Sequence, residues 1–247
     1  FLLFDFKKKD FQKYLKNIHI NSKKTKKKYP NIINKKKNIV LNGDVIYVEN
    51  VLNNEYFKLI QKNFQDLSKY NSRNLGLRKA DGVNFINLHK DNSYSTCLET
   101  YYNNQLLDYI SDLVKKPLQR ANSSDVNACS LLIYSKEGDH IYWHIDNSIY
   151  YGDRYVVLYT IINENNTKNG LSNNEFYYKL NGVEHKLKMM PNSLLIFKGS
   201  DIMHKSTAIK KNEKRVLLSM TYCDICQEKK NIINYIHDKI KNLVTYG

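Results

Sequence analysis

A His-x-Asp pair in an extended segment, with another histidine far downstream, constrains the fold of this chain more than any other feature. Side chains of a strand alternate between its two faces, so His144 and Asp146 project to one side while Ile145 points away. Such a pair can hold one metal ion, and the third ligand must then come from a distant part of the chain. His204 is the best candidate, because the 58 residues after Asp146 allow several antiparallel strands to leave the metal and return.

An arginine beyond the second histidine indicates what the metal site faces. Two imidazoles and one carboxylate form the facial triad of non-haem Fe(II) oxygenases, which leaves coordination positions open for other ligands. Arg215 follows His204 by 11 residues, which allows a turn through 210–214 and a strand that runs back past the metal. Burial of a guanidinium without a carboxylate would carry a large desolvation cost. The sequence therefore predicts a metal site opposite a carboxylate anchor.

Between Cys129 and Cys223 the chain resembles the 2-oxoglutarate- and Fe(II)-dependent oxygenase superfamily, most closely its prolyl 4-hydroxylase-like branch. The likeness extends over about 95 of the 247 residues, and the order and spacing of the motifs agree. The matching segments are Leu-Leu-Ile-Tyr at 131–134, Gly138, the His144-x-Asp146 pair, Pro-Asn-Ser-Leu-Leu-Ile-Phe at 191–197, His-Lys-Ser at 204–206 and Arg-Val-Leu-Leu-Ser at 215–219. Members of that superfamily fold as a double-stranded β-helix, a jelly-roll barrel that holds iron at its open end.

The resemblance implies the site residues and the cofactors. His144, Asp146 and His204 would bind Fe(II) as the catalytic centre, and Arg215 would bind the distal carboxylate of 2-oxoglutarate. O2 would be the oxidant, with ascorbate as a candidate additional cofactor. Tyr134 stands where the family often places a tyrosine that contacts the cosubstrate.

Two further cosubstrate contacts are expected on the strands. Ser219 shares a face with Arg215 by strand alternation, and its hydroxyl could complete the hydrogen bonds of the carboxylate. Tyr159 is a candidate for lining the same pocket. Some prolyl hydroxylases carry a second cosubstrate tyrosine at a position that is Ile161 here, so this chain departs from the family at that point.

The predicted fold is mostly β with flanking helices, a double-stranded β-helix or jelly-roll barrel. Residues 1–45 are expected to form a basic, flexible N-terminal arm, and 46–247 an oxygenase domain with helical support at 46–128, a barrel core at 129–223 and a C-terminal helix at 231–245. Alternating and continuous apolar runs predict strands at 45–48, 129–135, 141–146, 154–163, 174–180, 183–189, 193–198 and 214–223. Apolar spacing of three and four residues predicts helices at 53–70 and 100–116, Asn181-Gly182 indicates a hairpin turn, and 78–85 is expected to be a turn-bearing stretch near the pocket mouth.

Positive charge is concentrated in the arm. The formal net charge is +15, and residues 1–40 hold 13 lysines against two aspartates, a balance of +11. Such an arm is interpreted as a solvated tail, with targeting or nucleic-acid contact as the alternatives. No stretch has the ~20 apolar residues needed to span a bilayer. The cytoplasm is the favoured compartment, although Phe-Leu-Leu-Phe at 1–4 leaves open the stub of a targeting segment.

Other residues with chemical potential are interpreted conservatively. Cys223 and Cys226 form a C-x-x-C pattern, for which we favour a structural role in which Cys223 ends a barrel strand and Cys226 follows in the turn. Asp201 could compete with Asp146 for metal but fits the turn that leads to His204. Trp143 suits either a substrate-facing wall or the core. The remaining histidines, at positions 19, 89, 140, 185 and 237, are interpreted as ordinary residues.

The leading functional hypothesis is hydroxylation of a C–H bond, with succinate and CO2 as coproducts and a prolyl or other protein side chain as substrate. Nucleic-acid demethylation and small-molecule or lipid hydroxylation are alternatives within the same chemistry. A non-catalytic metal-binding jelly-roll module and a zinc hydrolase on a cupin-like barrel are rivals from other classes. The rivals leave Arg215 without a purpose, and fold-level likeness does not determine the substrate.

Overall fold

Residues 12–229, apart from 14–15, 17–18, 21–22, 25, 123–124 and 169, are described by the structure, a computed structural model. The predicted C-terminal helix at 231–245 lies outside the described residues. The strands are β1 (Asn38–Leu41), β2 (Val45–Glu49), β3 (Arg73–Asn74), β4 (Arg78–Val83), β5 (Gln119–Arg120), β6 (Cys129–Tyr134), β7 (His140–His144), β8 (Arg154–Glu164), β9 (Phe176–Leu180), β10 (Val183–Leu187), β11 (Ser193–Lys198), β12 (His204–Ser206) and β13 (Lys214–Cys223). Helical residues occur in the described parts of 12–28, and after them the helices are α1 (Asn54–Gln61), α2 (Phe85–Lys90), α3 (Ser95–Tyr102) and α4 (Asn104–Val114), with single 3-10 turns at Lys62–Phe64 and Asn92–Tyr94.

The strands form a curled antiparallel sheet that closes into a half-barrel. Along the sheet the order is β1-β2-β11-β8-β13-β6-β4-β7-β12-β9-β10, and β3 and β5 pair with β4 and β13. β4 pairs with β6 through 81–83 and with β7 through 78–79, so it joins the two halves of the barrel. The fold is the predicted one, a double-stranded β-helix with flanking helices.

Two hydrophobic clusters occupy the two faces of the long strand β8. Val156 and Leu158 point into the barrel, where they pack with Phe176 and Leu217. Val157 and Tyr159 point the other way, into a larger core between the sheet and the helices. Because ten consecutive residues of β8 are buried, the strand shows a continuous apolar run rather than an alternation.

The predicted helices lie in the expected parts of the chain but are shorter than predicted. α1 begins after Asn53, whose side chain accepts a hydrogen bond from the Tyr56 amide (2.9 Å), and it gives way to a 3-10 turn at Lys62. The predicted helix at 100–116 is wrong as a single element, because Asn103 is extended (ψ 125°) and caps α4 through the Gln105 amide. An asparagine in this role begins a new helix, so residues 100–102 belong to α3 and 104–114 to α4.

Several strand boundaries also differ from the prediction. The stretch 78–83, expected to bear a turn, is strand β4, and the reversal lies just before it at Gly76, where φ is +77°. The Asn181-Gly182 hairpin turn is confirmed, with φ values of 51° and 79° that suit a type I′ turn. β7 ends at His144, so Asp146 lies beyond the strand.

Cys223 is the last residue of β13, as the structural interpretation requires. It is joined by a disulfide to Cys226, with a Cα–Cα distance of 5.3 Å, a bond that the sequence did not lead us to expect. Among the described helices, none combines the length and apolar character needed to cross a bilayer.

Candidate active site

The structure brings the three predicted metal ligands together at the mouth of the barrel. His204 on β12 is the direct cross-strand partner of His144 on β7, and their ring centroids are 4.1 Å apart. The Asp146 carboxylate lies 4.0 Å from His144 Nε2 and 3.8 Å from His204 Nε2. Each of the three residues offers one ligand atom, and these three atoms lie within 4.8 Å of one another. This separation fits a single metal ion.

Main-chain carbonyls determine which imidazole nitrogen is available to a metal. His144 Nδ1 is 2.8 Å from the carbonyl oxygen of Tyr142, and His204 Nδ1 is 2.9 Å from that of Ile202. A carbonyl can only accept, so each Nδ1 carries a proton, and in the neutral ring Nε2 is then the nitrogen with the lone pair. Both Nε2 atoms are those nearest Asp146, and metal-binding histidines are commonly oriented in this way.

Burial keeps His204 ready for a metal. The ring is 5% exposed and packs between Phe176, which is stacked on it, and the edge of Phe197. This burial lowers the pKa of His204 to about 4, against the partly offsetting charge of Asp146. The imidazole is therefore neutral at pH 7, the state that binds metal.

Gly199 and Arg154 hold Asp146 in place after β7 has ended. The Asp146 amide donates to the Gly199 carbonyl (2.9 Å), and the Gly199 amide donates to the Arg154 carbonyl (3.1 Å). The Arg154 guanidinium is nearly buried, donates to Thr221 Oγ1 (3.1 Å), and places Nη1 3.9 Å from the Asp146 carboxylate. This cation complements the carboxylate, although the sequence did not single out either Gly199 or Arg154 as part of the site.

We predict that Gly199→Ala lowers metal affinity about 10- to 100-fold. A β-carbon at this position would lie 2.8 Å from both Asp146 Cβ and Val156 Cγ2, so the aspartate would have to move away from the histidines. Titration with Mn(II), followed by electron paramagnetic resonance, measures the effect. Gly43→Ala is the control, because nothing lies within 4 Å of its added carbon. Equal Mn(II) affinity in the two variants would contradict the role of Gly199.

A cavity of about 450 Å³ leads from the metal ligands into the barrel. Arg215 lies at its deep end with 1% of its surface exposed, and burial lowers the pKa of this guanidinium. The Tyr134 ring lies 5.4 Å from the guanidinium carbon, on the neighbouring strand β6, and also lines the cavity. No carboxylate of a described residue pairs with Arg215, so the deep end of the cavity carries an uncompensated positive charge.

The hydroxyl that contacts Arg215 is Ser206, not Ser219. Arg215 Nη1 donates to Ser206 Oγ at 2.6 Å, across from β12. Ser219 lines the cavity, as strand alternation predicts, but four residues along β13 separate it from Arg215, roughly 13 Å. Its predicted position on the inner face is confirmed, whereas the structure shows no contact between Ser219 and the guanidinium.

Tyr159 and Trp143 lie outside the cavity. Tyr159 is fully buried on the outer face of β8, where its hydroxyl donates to Asn192 Oδ1 (2.9 Å), so its predicted place in the pocket is wrong. Trp143 is half-buried on the outer face of β7, with the ammonium groups of Lys179 and Lys205 4.9 and 4.6 Å from its ring. It forms neither a wall of the cavity nor part of the two clusters.

Comparison with known proteins supports the fold. No protein-family model and no curated protein matches the sequence. A prolyl-4-hydroxylase from Pseudomonas putida shares 13% identity with a TM-score of 0.52, over 76% of this chain and 94% of that one. A prolyl hydroxylase from Trichoplax adhaerens, in complex with a hypoxia inducible factor peptide fragment, shares 13% with a TM-score of 0.55, over 89% and 94%. HygX from Streptomyces hygroscopicus, with nickel and 2-oxoglutarate bound, shares 12% with a TM-score of 0.51, over 73% and 82%.

Proposed function

We propose that this chain is a 2-oxoglutarate- and Fe(II)-dependent dioxygenase. The observation that carries the proposal is the pairing, in one cavity, of a His-Asp-His donor set with a buried arginine that has no carboxylate partner among the described residues. Such a cavity fits a ligand that chelates the metal at one end and offers a carboxylate at the other. 2-Oxoglutarate has this form, and the HygX neighbour binds it.

Each residue has a defined task in this proposal. His144, Asp146 and His204 hold Fe(II), and Arg215 pairs with the distal carboxylate of the cosubstrate. When bound, iron and 2-oxoglutarate would supply, with O2 as the oxidant, the chemistry that yields succinate, CO2 and a hydroxylated C–H position. Leu158 and Leu217 form apolar walls of the cavity that exclude water from the reacting groups.

A peptide or protein side chain, with proline as the first candidate, is the proposed substrate. Leu77 and Ile145 line the mouth of the cavity with 60% and 45% of their surfaces exposed, and apolar residues at a rim suit contact with an extended chain. The peptide bound to the Trichoplax neighbour supports this class. A small molecule is the second candidate, because another HygX structure contains hygromycin B.

The rival classes explain less of the cavity. A metal-binding module without catalysis, or a zinc hydrolase, would account for the three ligands but not for the buried charge of Arg215. That charge is costly unless an anion enters the barrel. Contact of the basic arm with nucleic acid, the alternative to a solvated tail, has no support among the structural neighbours.

Anaerobic addition of Fe(II) and 2-oxoglutarate is expected to give the weak visible charge-transfer band of the chelate. Admission of O2 should then release succinate even without the substrate, at a slow rate. Zn(II) in place of Fe(II) is the control and should give neither signal. A protein that binds Fe(II) but shows no band and no succinate would contradict the proposed function.

A further inference from the structure

Arg215 is hydrogen-bonded on one side and has a buried, unsatisfied donor on the other. Nη1 donates to Ser206 Oγ at 2.6 Å, Nη2 lies 3.1 Å from the sulfur of Met189, and Nε has no hydrogen-bond partner. A thioether is a weak acceptor. Because Nε and Nη2 share one edge of the guanidinium, opposite Nη1, this edge keeps two donors that no oxygen atom of the described residues satisfies.

The hydroxyl of Ser206 is oriented by a second residue, Asn174. Ser206 has a single proton, which it donates to Asn174 Oδ1 at 3.0 Å. Its lone pairs therefore face Arg215, and it acts as an acceptor for the guanidinium rather than as a donor to an anion. The amide of Asn174 is itself oriented, because Nδ2 donates to the main-chain carbonyl of Thr207.

The segment that carries Asn174 is fixed by a lysine. Lys188 Nζ donates to the main-chain carbonyls of Asn174 (3.0 Å) and Ser172. Asn174 is 2% exposed and Ser206 3% exposed, so water does not compete for these hydrogen bonds. Hydrogen bonds to main-chain carbonyls therefore fix the orientation of Asn174, and Asn174 fixes that of the Ser206 hydroxyl. A buried hydrogen-bond network of this kind is rigid.

On the basis of the proposed function, we propose that Asn174 and Ser206 are positioning residues that orient Arg215, so that its Nε–Nη2 edge receives the distal carboxylate of the cosubstrate. Ser206 takes no part in binding the carboxylate directly. Asn174 acts indirectly: it accepts the Ser206 proton, so that a lone pair of the Ser206 oxygen faces Arg215 Nη1. The relay consists of Asn174, Ser206 and Arg215.

Calorimetric titration of 2-oxoglutarate into the Mn(II)-loaded protein tests the relay. Ser206→Ala should weaken 2-oxoglutarate binding about tenfold or more, because a buried charged donor loses its partner and its orientation. Ser111→Ala is the control: it removes a half-buried hydroxyl from α4, outside the cavity, and should leave the Kd unchanged. Pyruvate, which has the chelating end but lacks the second carboxylate, is the control ligand, and its affinity should be the same in both variants and in the wild type.

The role of Asn174 is tested by a double-mutant cycle. Asn174→Leu should weaken 2-oxoglutarate binding, and combining it with Ser206→Ala should add little, since both changes break one relay. Mn(II) affinity should stay constant throughout. Additive effects, or a parallel loss of Mn(II) affinity, would show a general structural defect and overturn the relay.

The outcomes also separate this inference from the proposed function. If the Mn(II)-loaded wild type binds no 2-oxoglutarate, the proposed function fails. If the wild type binds it and Ser206→Ala binds it equally well, or if Ser111→Ala weakens binding as much, the function stands and the relay is wrong. If Asn174→Leu does not fold, the comparison of the two serine variants decides.

Discussion

Arg215→Met is expected to weaken 2-oxoglutarate binding by more than about 100-fold while leaving the free protein at least as stable as the wild type. The two effects have one cause. The guanidinium is buried at the end of the cavity without a carboxylate partner among the described residues, so it costs free energy until an anion arrives. Methionine fills a similar volume between Met189 and Tyr134 without that desolvation cost.

The measurement combines calorimetry of 2-oxoglutarate binding with urea denaturation in the absence of ligand. We expect the free energy of unfolding of Arg215→Met to be equal to that of the wild type or higher by about 1–3 kcal/mol. Arg215→Lys is the control, because it keeps the charge but loses the planar pair of donors, and it should bind 2-oxoglutarate with intermediate affinity. An Arg215→Met protein that binds 2-oxoglutarate normally, or that is strongly destabilised, would contradict the role of Arg215 as an anchor for an anion.

Strand alternation made much of the site predictable from the sequence. A period of two residues is sufficient to place His144 with Asp146, and Arg215 with Ser219, on the inner face of the barrel. Asp146 stays on the inner side even though β7 ends before it, because its amide donates a hydrogen bond to the Gly199 carbonyl. Neither this hydrogen bond nor the need for a glycine at 199 has a local signal, since both arise from contact between distant strands.

Alternation gives the face of a strand but neither the distance along it nor the partner across it. Ser219 is on the expected face and is still too far along β13 to contact Arg215, whereas Ser206 reaches the guanidinium from β12. Tyr159 shows a different limit. Both faces of β8 are buried, one in the barrel and one against the helices, so its sequence offers no polar alternation to show which side Tyr159 occupies.

Asp146→Asn is expected to reduce metal affinity by more than about 100-fold and to abolish 2-oxoglutarate turnover, whereas Asp201→Asn should change neither. The sequence left both acids as possible ligands, and the structure separates them. Asp146 lies within 4.0 Å of both Nε2 atoms, while Asp201 is exposed in the turn before β12 and accepts a hydrogen bond from Ser200 (2.7 Å). The substitution keeps the shape of the side chain, so loss of the anionic ligand is the main change.

Histidine variants extend the same comparison to the other ligands. His204→Ala should behave like Asp146→Asn, and His185→Ala, at an exposed position on β10, should behave like the wild type. Mn(II) titration and succinate release measure metal binding and turnover, and circular dichroism establishes that each variant is folded. His204 is neutral at pH 7 and its Nε2 faces Asp146, so it can bind a metal without first losing a proton. The alanine variant lacks this ligand. Folded Asp146→Asn or His204→Ala protein that still releases succinate at the wild-type rate would place the reactive centre elsewhere in the chain.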